Sequence, residues 1–587
     1  MTRAEESDTA PAPAALAVPQ VPATRAGRAL SWAARNGWAT LSLLCVLLWL
    51  PGIVSLPPID RDESRFAQSS RQMLESGDVV NIKFGHVPRY KKPAGIYWLQ
   101  SATTAVAGLG DHSHIWTYRL ASLIGGTLAV LLCFWCARAF ALAEIAWLAA
   151  ALMATSLLLS AEATMATTDA VQLACLMGTM GVLLRVYLAA RDPGKPMPGT
   201  RLILIGWAAF AAGILIKGPV VPGVCLVTVA ALLAWDRGDW RWLAHLKPLY
   251  GVPLMLLIVL PWGIAILLAS HGAFYEQSLG QDFAAKLAGG QESHGAWPGY
   301  YLLLATLTFW PAIAFVLPGL ASAIDRAAEP ANRFLLAWGG ASWLMIEAVP
   351  TKLPNYILPA YPAIAMLAAV WMLLPREDGG PRWTRILFYV AAAQFALGAA
   401  ALVAAPILAP LYYGVVTWWL IALAAFGAIL ALSAFISFLR RAKIAAFGFA
   451  ALSVLVLYPT LTVGAAPGLA RIWVSPRAAA LIAKYKRPDD PPPVAAGYTE
   501  PSLMFLLGSE TRLTDGAGAA EVGASQGGLA LIEDGEKASF LARLAEIEAD
   551  AVPLDGLSGF NYTRGRAVHI TLYRLTQTHD VSSPPAE

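Results

Sequence analysis

The stretch "DRDESRF" (residues 60–66) packs three acids and two arginines into seven residues, directly after an apolar run that ends near Leu56. The chain around it is strongly apolar. Of its 587 residues, 57% are hydrophobic and 14% are charged, whereas roughly a quarter of a typical soluble chain is charged. The mean hydropathy is +0.57. This composition indicates a polytopic membrane protein, with "DRDESRF" at the mouth of its first membrane segment.

Apolar runs long enough to cross a membrane, which takes about 20 residues, recur along most of the chain. We predict about thirteen transmembrane helices, at roughly 38–56, 115–137, 143–161, 168–190, 201–216, 218–235, 248–269, 298–318, 334–349, 355–374, 385–409, 414–439 and 444–464. The predicted fold class is therefore an all-α polytopic membrane protein whose transmembrane domain covers residues 38–465.

Lysine and arginine orient this bundle, because loops on the inner side of a membrane carry an excess of positive charge. Arg25, Arg28 and Arg35 precede the first helix and place the N-terminus inside. Basic residues then recur in alternate loops, which fits an odd number of helices. Residues 1–37 are predicted to form a disordered cytoplasmic tail, and residues 57–114 form the first outer loop, with interfacial helices.

The C-terminal segment, residues 466–587, differs in composition and lies outside in this topology. Strand-like runs, "GLALIE" (528–533) and "AVHITLYRL" (567–575), flank a helical "KASFLARLAEI" (537–547). This alternation predicts a small periplasmic α/β domain. It carries no recognisable catalytic motif.

The charges in "DRDESRF" have a local explanation in part. Asp60 followed by Glu63 fits a capping box at a helix start, which leaves Asp62 unexplained. Further ionisable residues share the same predicted outer interface: Asp169, Lys217, Lys352, Lys91 and Lys92. A single lysine there is typical of a snorkelling anchor. Four lysines and two aspartates on one face instead suggest a site for a lipid-linked phosphate, with carboxylates near the reacting carbon.

These motifs, taken in order, resemble a known family. "DRDESRFAQSSRQMLESGD" followed by "RYKKPAGIYWL" is similar to the first outer loop of the lipid A aminoarabinose transferases and their protein-mannosyltransferase-like relatives. These are membrane glycosyltransferases of the C type (GT-C; families 39 and 83). Further matches are "TTDA" at Asp169, "IKGP" at Lys217, "LPWGIAI" (260–266), the run from His294 to Tyr301 and "KLPNYILPAYP" (352–362).

The resemblance implies a GT-C enzyme that moves a sugar, with inversion, from a polyprenyl-phosphate donor to an acceptor at the periplasmic face of a bacterial inner membrane. The expected acceptor is lipid A or the lipopolysaccharide core. No cofactor is required, and no nucleotide is expected. Asp60-x-Asp62 could hold a divalent cation, although the lysines could make one unnecessary.

Site residues follow from the same resemblance and from the charge that the reaction develops. Asp62 is the expected base or orienting group, and Asp169 is the second carboxylate. The residues expected to bind the donor phosphate are Lys92, Arg65, Lys217 and Lys352. Those expected to bind sugar or acceptor are Asp60, Glu63, Lys91, His294, Tyr301 and Tyr356.

One departure from the family bears on the sugar. Where the aminoarabinose transferases typically have Glu-Lys-Pro, this chain has Lys91-Lys92-Pro93. A lysine would repel a cationic amino sugar, which favours a neutral or acidic sugar such as a uronic acid. Two other interpretations stay open at this point: a glycosyltransferase that acts on protein or another envelope glycan, and a flippase or transporter for lipid-linked sugars.

The topology yields a direct prediction. A reporter that is active only outside the cytoplasm should be active when fused after residue 587, and inactive when fused after residue 195. The reason is that the basic loops alternate in side. A cytoplasmic reporter at the same two positions is the control and should show the reverse pattern. The same activity at both positions would mean that a helix has been miscounted.

Overall fold

The computed structural model describes residues 19–284, 295–375 and 381–576. The helices are α1 (Arg25–Arg35), α2 (Gly37–Ser55), α3 (Asp62–Ser76), α4 (Gly95–Ala107), α5 (Ile115–Ala137), α6 (Ala143–Thr155), α7 (Leu157–Thr164), α8 (Asp169–Ala189), α9 (Thr200–Lys217), α10 (Val220–Trp235), α11 (Pro248–Ala269), α12 (Ala273–Tyr275), α13 (Tyr300–Thr308), α14 (Ile313–Asp325), α15 (Pro330–Ala348), α16 (Tyr361–Leu373), α17 (Arg382–Tyr413), α18 (Trp418–Leu439), α19 (Lys443–Pro459), α20 (Val474–Tyr485), α21 (Pro501–Leu507), α22 (Gly516–Gln526) and α23 (Asp534–Glu546). The strands are β1 (Lys83–Phe84), β2 (Val87–Pro88), β3 (Val494–Ala496), β4 (Arg512–Thr514), β5 (Gly528–Glu533), β6 (Ala551–Asn561) and β7 (Arg566–Leu575).

The helices account for every predicted membrane segment. Within the described residues, nine helices are long and apolar enough to cross a membrane, and the pair α6–α7, bent by 62°, makes a tenth if it counts as one span. The other three predicted segments fall on α10, on α13 with α14, and on α15. The polytopic, helical class is therefore confirmed. Nine or ten spans meet the criteria of length and composition, and the total of about thirteen stays a prediction.

The predicted disordered tail is wrong in part. Residues 1–18 lie outside the described residues, but Arg25–Arg35 forms helix α1. Thr24 caps it by accepting a hydrogen bond from the Gly27 amide at 3.1 Å. The buried positions of α1, which include Leu30 and Ala34, lie four apart and therefore share one face. The many alanines and prolines of the segment concealed this short amphipathic period.

At the predicted inner end, one buried carboxylate ties three helices together. Asp236, just after α10, pairs with Arg191 after α8 and with Arg333 of α15. The Tyr187 hydroxyl of α8 also donates to it, at 3.0 Å. Arginines that the sequence placed in two separate inner loops thus meet at one point, which agrees with the predicted topology of this region.

The C-terminal region is a five-stranded sheet in the order β4-β3-β5-β7-β6. Strand β3 runs parallel to β4 and β5, and β7 is antiparallel to both β5 and β6. The predicted strands at 528–533 and 567–575 correspond to β5 and β7, and the predicted helix lies mostly within α23. The small α/β fold is therefore present. All six residues of β5 are buried, as expected for a central strand.

This sheet region packs on the first outer loop. Phe505 of α21 is fully buried and its ring lies 5.6 Å from that of Tyr118 at the start of α5. Gln68 of α3 donates to Ser509 at 2.9 Å, and Arg71 donates to the Phe505 carbonyl at 3.0 Å. These contacts place the sheet region at the same end of the bundle as "DRDESRF".

Candidate active site

The first outer loop begins with a sharp bend that sets the direction of α3. Arg61 has a φ of 66°, a left-handed conformation that costs energy for a residue with a Cβ, and α3 starts at Asp62. Ser64 supports the bend, because its amide and its hydroxyl both donate to the Ile59 carbonyl. The predicted capping box is therefore wrong: Arg61, not Asp60, precedes the helix, and Glu63 is its second residue.

Glu63 is buried and bound to Arg119 of α5. The Arg119 guanidinium donates to both carboxylate oxygens, at 2.7 and 2.8 Å. The Ala166 and Ile59 amides each donate to one of those oxygens at 2.8 Å. Both oxygens thus accept two hydrogen bonds each, which is their usual capacity. In this structure Glu63 therefore positions the loop through its internal partners, and its predicted role in sugar or acceptor binding stays a prediction from the sequence.

Asp60 faces the C-terminal sheet region. It accepts a hydrogen bond from the Ser502 amide at 3.2 Å, and its own amide donates to the Tyr562 hydroxyl at 2.7 Å. Burial raises the pKa of Asp60 to about 6. This carboxylate therefore lies at the interface between the loop and the sheet region, and its predicted role in sugar or acceptor binding stays a prediction.

Asp60 and Asp62 have different neighbours. Asp60 accepts a hydrogen bond from the Ser502 amide, whereas Asp62 lies beside Arg65. Across the described parts of the chain, no group of three His, Cys, Asp or Glu residues is arranged to hold a metal ion. A divalent cation held by Asp60 and Asp62 stays a prediction from the sequence.

Asp62 is the acid of "DRDESRF" whose side chain is exposed to solvent. Its side chain is 66% exposed, and Arg65, the predicted phosphate ligand, lies 3.9 Å away and is itself half-buried. Its charge acts on two buried groups, Tyr97 of α4 and Glu162 of α7. Asp62 is thus accessible to a ligand.

Asp169 and Lys217 form a second ion pair. Asp169 is the first residue of α8, and Lys217 is the last residue of α9. The Lys217 ammonium donates to Asp169 at 2.6 Å, and both side chains are nearly buried. The Thr168 hydroxyl donates to the other carboxylate oxygen at 3.1 Å. The structure therefore brings together two residues that the sequence assigned to different roles, one as a catalytic carboxylate and one as a phosphate ligand.

Glu162 completes this cluster, and sequence reasoning missed it. It is buried and accepts a hydrogen bond from the Thr167 hydroxyl at 2.7 Å. The charges of Asp169, Lys217 and Asp62 all act on it. The signal was present in the sequence, since a glutamate inside an apolar run is a functional candidate by default.

A cavity of about 360 Å³ opens beside the Asp169–Lys217 pair. Its polar lining comprises Lys91, Lys92, Lys217, Asp169, Gln172, Ser278, Asn355 and Tyr356. Most of the remaining lining is apolar, from α9, α10, α11 and α15, and includes Leu215, Val259, Trp262 and Met345. Three lysines at one cavity and an apolar wall behind them suit an anionic group attached to a hydrocarbon chain.

Gln172 is a cavity residue that the sequence analysis did not single out. It lies one helical turn beyond Asp169 on α8 and is buried. Its side-chain nitrogen has no hydrogen-bond partner within the described ranges. A buried amide without a partner costs about 1–3 kcal/mol, so a ligand that supplied one would gain that amount.

Lys352 and Tyr301 lie apart from this cavity. The Lys352 ammonium donates to the Glu347 carbonyl at 2.6 Å and lies 5.3 Å from the centre of the Tyr301 ring. The Tyr301 hydroxyl donates to the Leu353 carbonyl at 3.1 Å. Both side chains thus have internal partners in this structure. His294 lies outside the described residues.

The chain is similar in sequence to a family of membrane glycosyltransferases. A family model described as dolichyl-phosphate-mannose-protein mannosyltransferase matches residues 58–272. An undecaprenyl phosphate-alpha-4-amino-4-deoxy-L-arabinose arabinosyl transferase from Edwardsiella ictaluri (strain 93-146) is 29% identical over 353 residues, 58% of this chain and 61% of that protein. One of the same name from Enterobacter sp. (strain 638) is 29% identical over 317 residues, 52% of this chain and 54% of that protein.

Two crystal structures share the fold. ArnT from Cupriavidus metallidurans in the apo state has a TM-score of 0.69 at 20% identity, covering 92% of this chain and 98% of that one. The same protein bound to undecaprenyl phosphate has a TM-score of 0.65 at 20% identity, covering 91% and 98%. The predicted resemblance and the GT-C fold are confirmed. In sequence, the chain spans about 61% of the first curated relative.

The Glu63–Arg119 pair predicts a large stability cost when it is broken. Arg119→Met leaves a buried, uncompensated carboxylate, which typically costs about 3–5 kcal/mol. We expect a strongly lowered midpoint in a thermal unfolding scan of the purified protein. Arg138→Met is the matched control, because Arg138 is exposed at the other end of α5, and it should change stability by about 0.5 kcal/mol or less. Equal midpoints for the two variants would contradict the assigned role.

Proposed function

We propose that this chain is a GT-C glycosyltransferase of a bacterial inner membrane. It transfers a sugar from a polyprenyl-phosphate donor to an acceptor at the periplasmic face, lipid A or the lipopolysaccharide core. The observation that carries the proposal is the cavity with three lysines at an apolar wall, next to the buried Asp169–Lys217 pair. The names of the curated relatives and the lipid-bound crystal structure of the same fold support it.

The lysines would stabilise the negative charge of the leaving group, the polyprenyl phosphate. When the bond between the anomeric carbon and the phosphate oxygen breaks, its electron pair stays on the polyprenyl phosphate, which gains negative charge. Preorganised cations in a site that excludes water stabilise such charge strongly. Lys217 is held in place by Asp169, and Lys92 lines the same cavity. The polyprenyl chain would lie along the apolar wall.

Asp169 and Asp62 have different roles in the proposed reaction. Asp169 is occupied by Lys217, so it holds the phosphate-binding ammonium and can accept a hydrogen bond from a sugar hydroxyl. Asp62 is exposed and only loosely paired, so it can receive a proton from an attacking hydroxyl. With a phosphate acceptor, already a nucleophile, Asp62 would orient the acceptor or sugar instead. Attack opposite the leaving phosphate inverts the anomeric carbon.

Asp62→Asn tests the proposed chemistry. The purified variant, given polyprenyl-phosphate sugar and acceptor, should lose about 10²–10⁴-fold in transfer rate, since that is the usual contribution of a general base. Its thermal stability should match that of the wild type, because Asp62 is exposed. Asp111→Asn removes another exposed acid of the same loop and should keep normal transfer. Product formation is followed by mass spectrometry, and near-normal turnover of Asp62→Asn would remove it from the mechanism.

Lys217→Met tests the phosphate site separately from the chemistry. Removing a charged hydrogen-bond donor should weaken binding of bare polyprenyl phosphate by about 10–100-fold, as 1.5–3 kcal/mol corresponds to that range. Because the substitution leaves Asp169 unpaired, Asp169→Asn/Lys217→Met should show the same loss without a buried charge. Lys83→Met, at an exposed lysine of the outer loop, is the control. Unchanged lipid binding in both lysine-217 variants would contradict the phosphate role.

Lys91 predicts the kind of sugar. It is exposed and lines the cavity, where an ammonium disfavours an amino sugar and favours a carboxylated one. At an effective dielectric of about 20, a charge pair at ~4 Å is worth on the order of 4 kcal/mol, and about 1.4 kcal/mol already shifts preference tenfold. Lys91→Glu should therefore shift donor choice from a uronic acid toward aminoarabinose, with a neutral hexose as reference. An unchanged ranking of the three donors would show that Lys91 does not select the sugar.

A further inference from the structure

A second and larger cavity, of about 1310 Å³, lies at the opposite end of the bundle from the candidate active site. Its walls come from the segment before α1, the last turns of α14 and α16, the start of α17 and the turn between α18 and α19. Among the described residues, its charged lining is Arg25, Arg326, Arg385, Arg441, Lys443 and Asp325. Arg326 is also paired with Glu329 at 2.8 Å. The described lining therefore carries more positive than negative charge.

Internal contacts fix the walls of this cavity. The Lys443 ammonium donates to the carbonyls of Trp371 and Leu374, at 2.8 and 2.7 Å, and so caps the C-terminal end of α16. The Arg441 guanidinium stacks 3.2 Å from the centre of the Phe388 ring. The Gln20 amide donates a hydrogen bond to the Leu373 carbonyl at 2.8 Å, which joins the N-terminal segment to the same helix end. The cavity is therefore a built feature rather than a gap between loose chain ends.

The neighbouring surface indicates what could enter it. Large apolar side chains of α17, among them Trp383, Ile386 and Tyr389, are exposed in the isolated chain. On a membrane-spanning helix such a surface is covered by lipid, and Tyr389 and Arg385 also line the cavity. A lipid held against α17 can thus place its head group among the cations while its chains remain in the bilayer.

We propose that this cavity binds the head group of an anionic phospholipid from the inner leaflet. Phosphate groups are the natural partners of clustered arginines, and basic pockets between membrane helices on the cytoplasmic side suit lipids that carry more than one phosphate. A zwitterionic lipid would bring a positive charge next to the same cations. The site shares no lining residue with the candidate active site, so the inference stands independently of the proposed enzyme function.

Counting bound lipids on the purified full-length protein tests this. The protein is delipidated, exchanged into nanodiscs of phosphatidylcholine with or without cardiolipin, and released for native mass spectrometry. Arg385→Gln/Arg441→Gln removes two lining charges. Arg382→Gln/Arg440→Gln removes two exposed charges from the same helix and turn, outside the cavity, and is the matched control. Each cation near a lipid surface contributes about one kcal/mol, so the first pair should weaken cardiolipin binding by about thirtyfold.

The outcomes separate the possible occupants. Wild type and control should retain cardiolipin over phosphatidylcholine, and the lining variant should not, with both variants as stable to heat as the wild type. Equal loss in the two variants would reduce the effect to general surface charge and overturn the proposal. So would binding of inorganic phosphate to the cavity with no retention of cardiolipin by the wild type, since then the site takes a free anion and not a lipid. If a part of the chain fills the cavity, no variant changes the lipid count, and the proposal fails likewise.

Discussion

The buried pair of Glu63 and Arg119 is the constraint on which the candidate active site depends. Arg119 also donates to the carbonyls of Ile53, Leu56 and Pro57, so one guanidinium holds the end of α2 and the link to α3. Glu63 extends the same network to the Ala166 amide, three residues before α8. The first outer loop and the segment that leads to Asp169 are thereby held in a fixed relation.

The three acids of "DRDESRF" have three different environments in this network. Glu63 is neutralised inside the protein, and Asp60 is taken up by the interface with the C-terminal sheet region. Asp62 lies between them in sequence, but its side chain is exposed to solvent in the first turn of α3. A carboxylate that must exchange protons or hydrogen bonds with a substrate cannot be saturated by its own protein. Asp62 is the acid of this stretch that meets that condition.

Sequence reasoning succeeded where the signal is local. Hydropathy located the helices, and alternation located β5 and β7, because each depends on residues close together in the chain. It did not find the partner of Glu63, because Arg119 is 56 residues away inside a predicted apolar helix, where averaging hides a single arginine. Nor could it find the carbonyl partners of Lys352, since an ammonium with internal partners looks in sequence like one that awaits a ligand. Pairing across the fold, not residue type, decides which charges remain for function.

The two proposed substrates would reach the site from different directions. The cavity wall is apolar and continuous with membrane helices, so a lipid-linked donor can reach Lys217 from the bilayer. Asp62, on a helix that packs on the sheet region, is exposed to solvent. Lys217 is bound to Asp169 at the start of α8, whereas Asp62 lies in the first turn of α3. In the proposed reaction, a donor phosphate held at Lys217 and an acceptor held at Asp62 would meet from different sides, as a displacement with inversion requires.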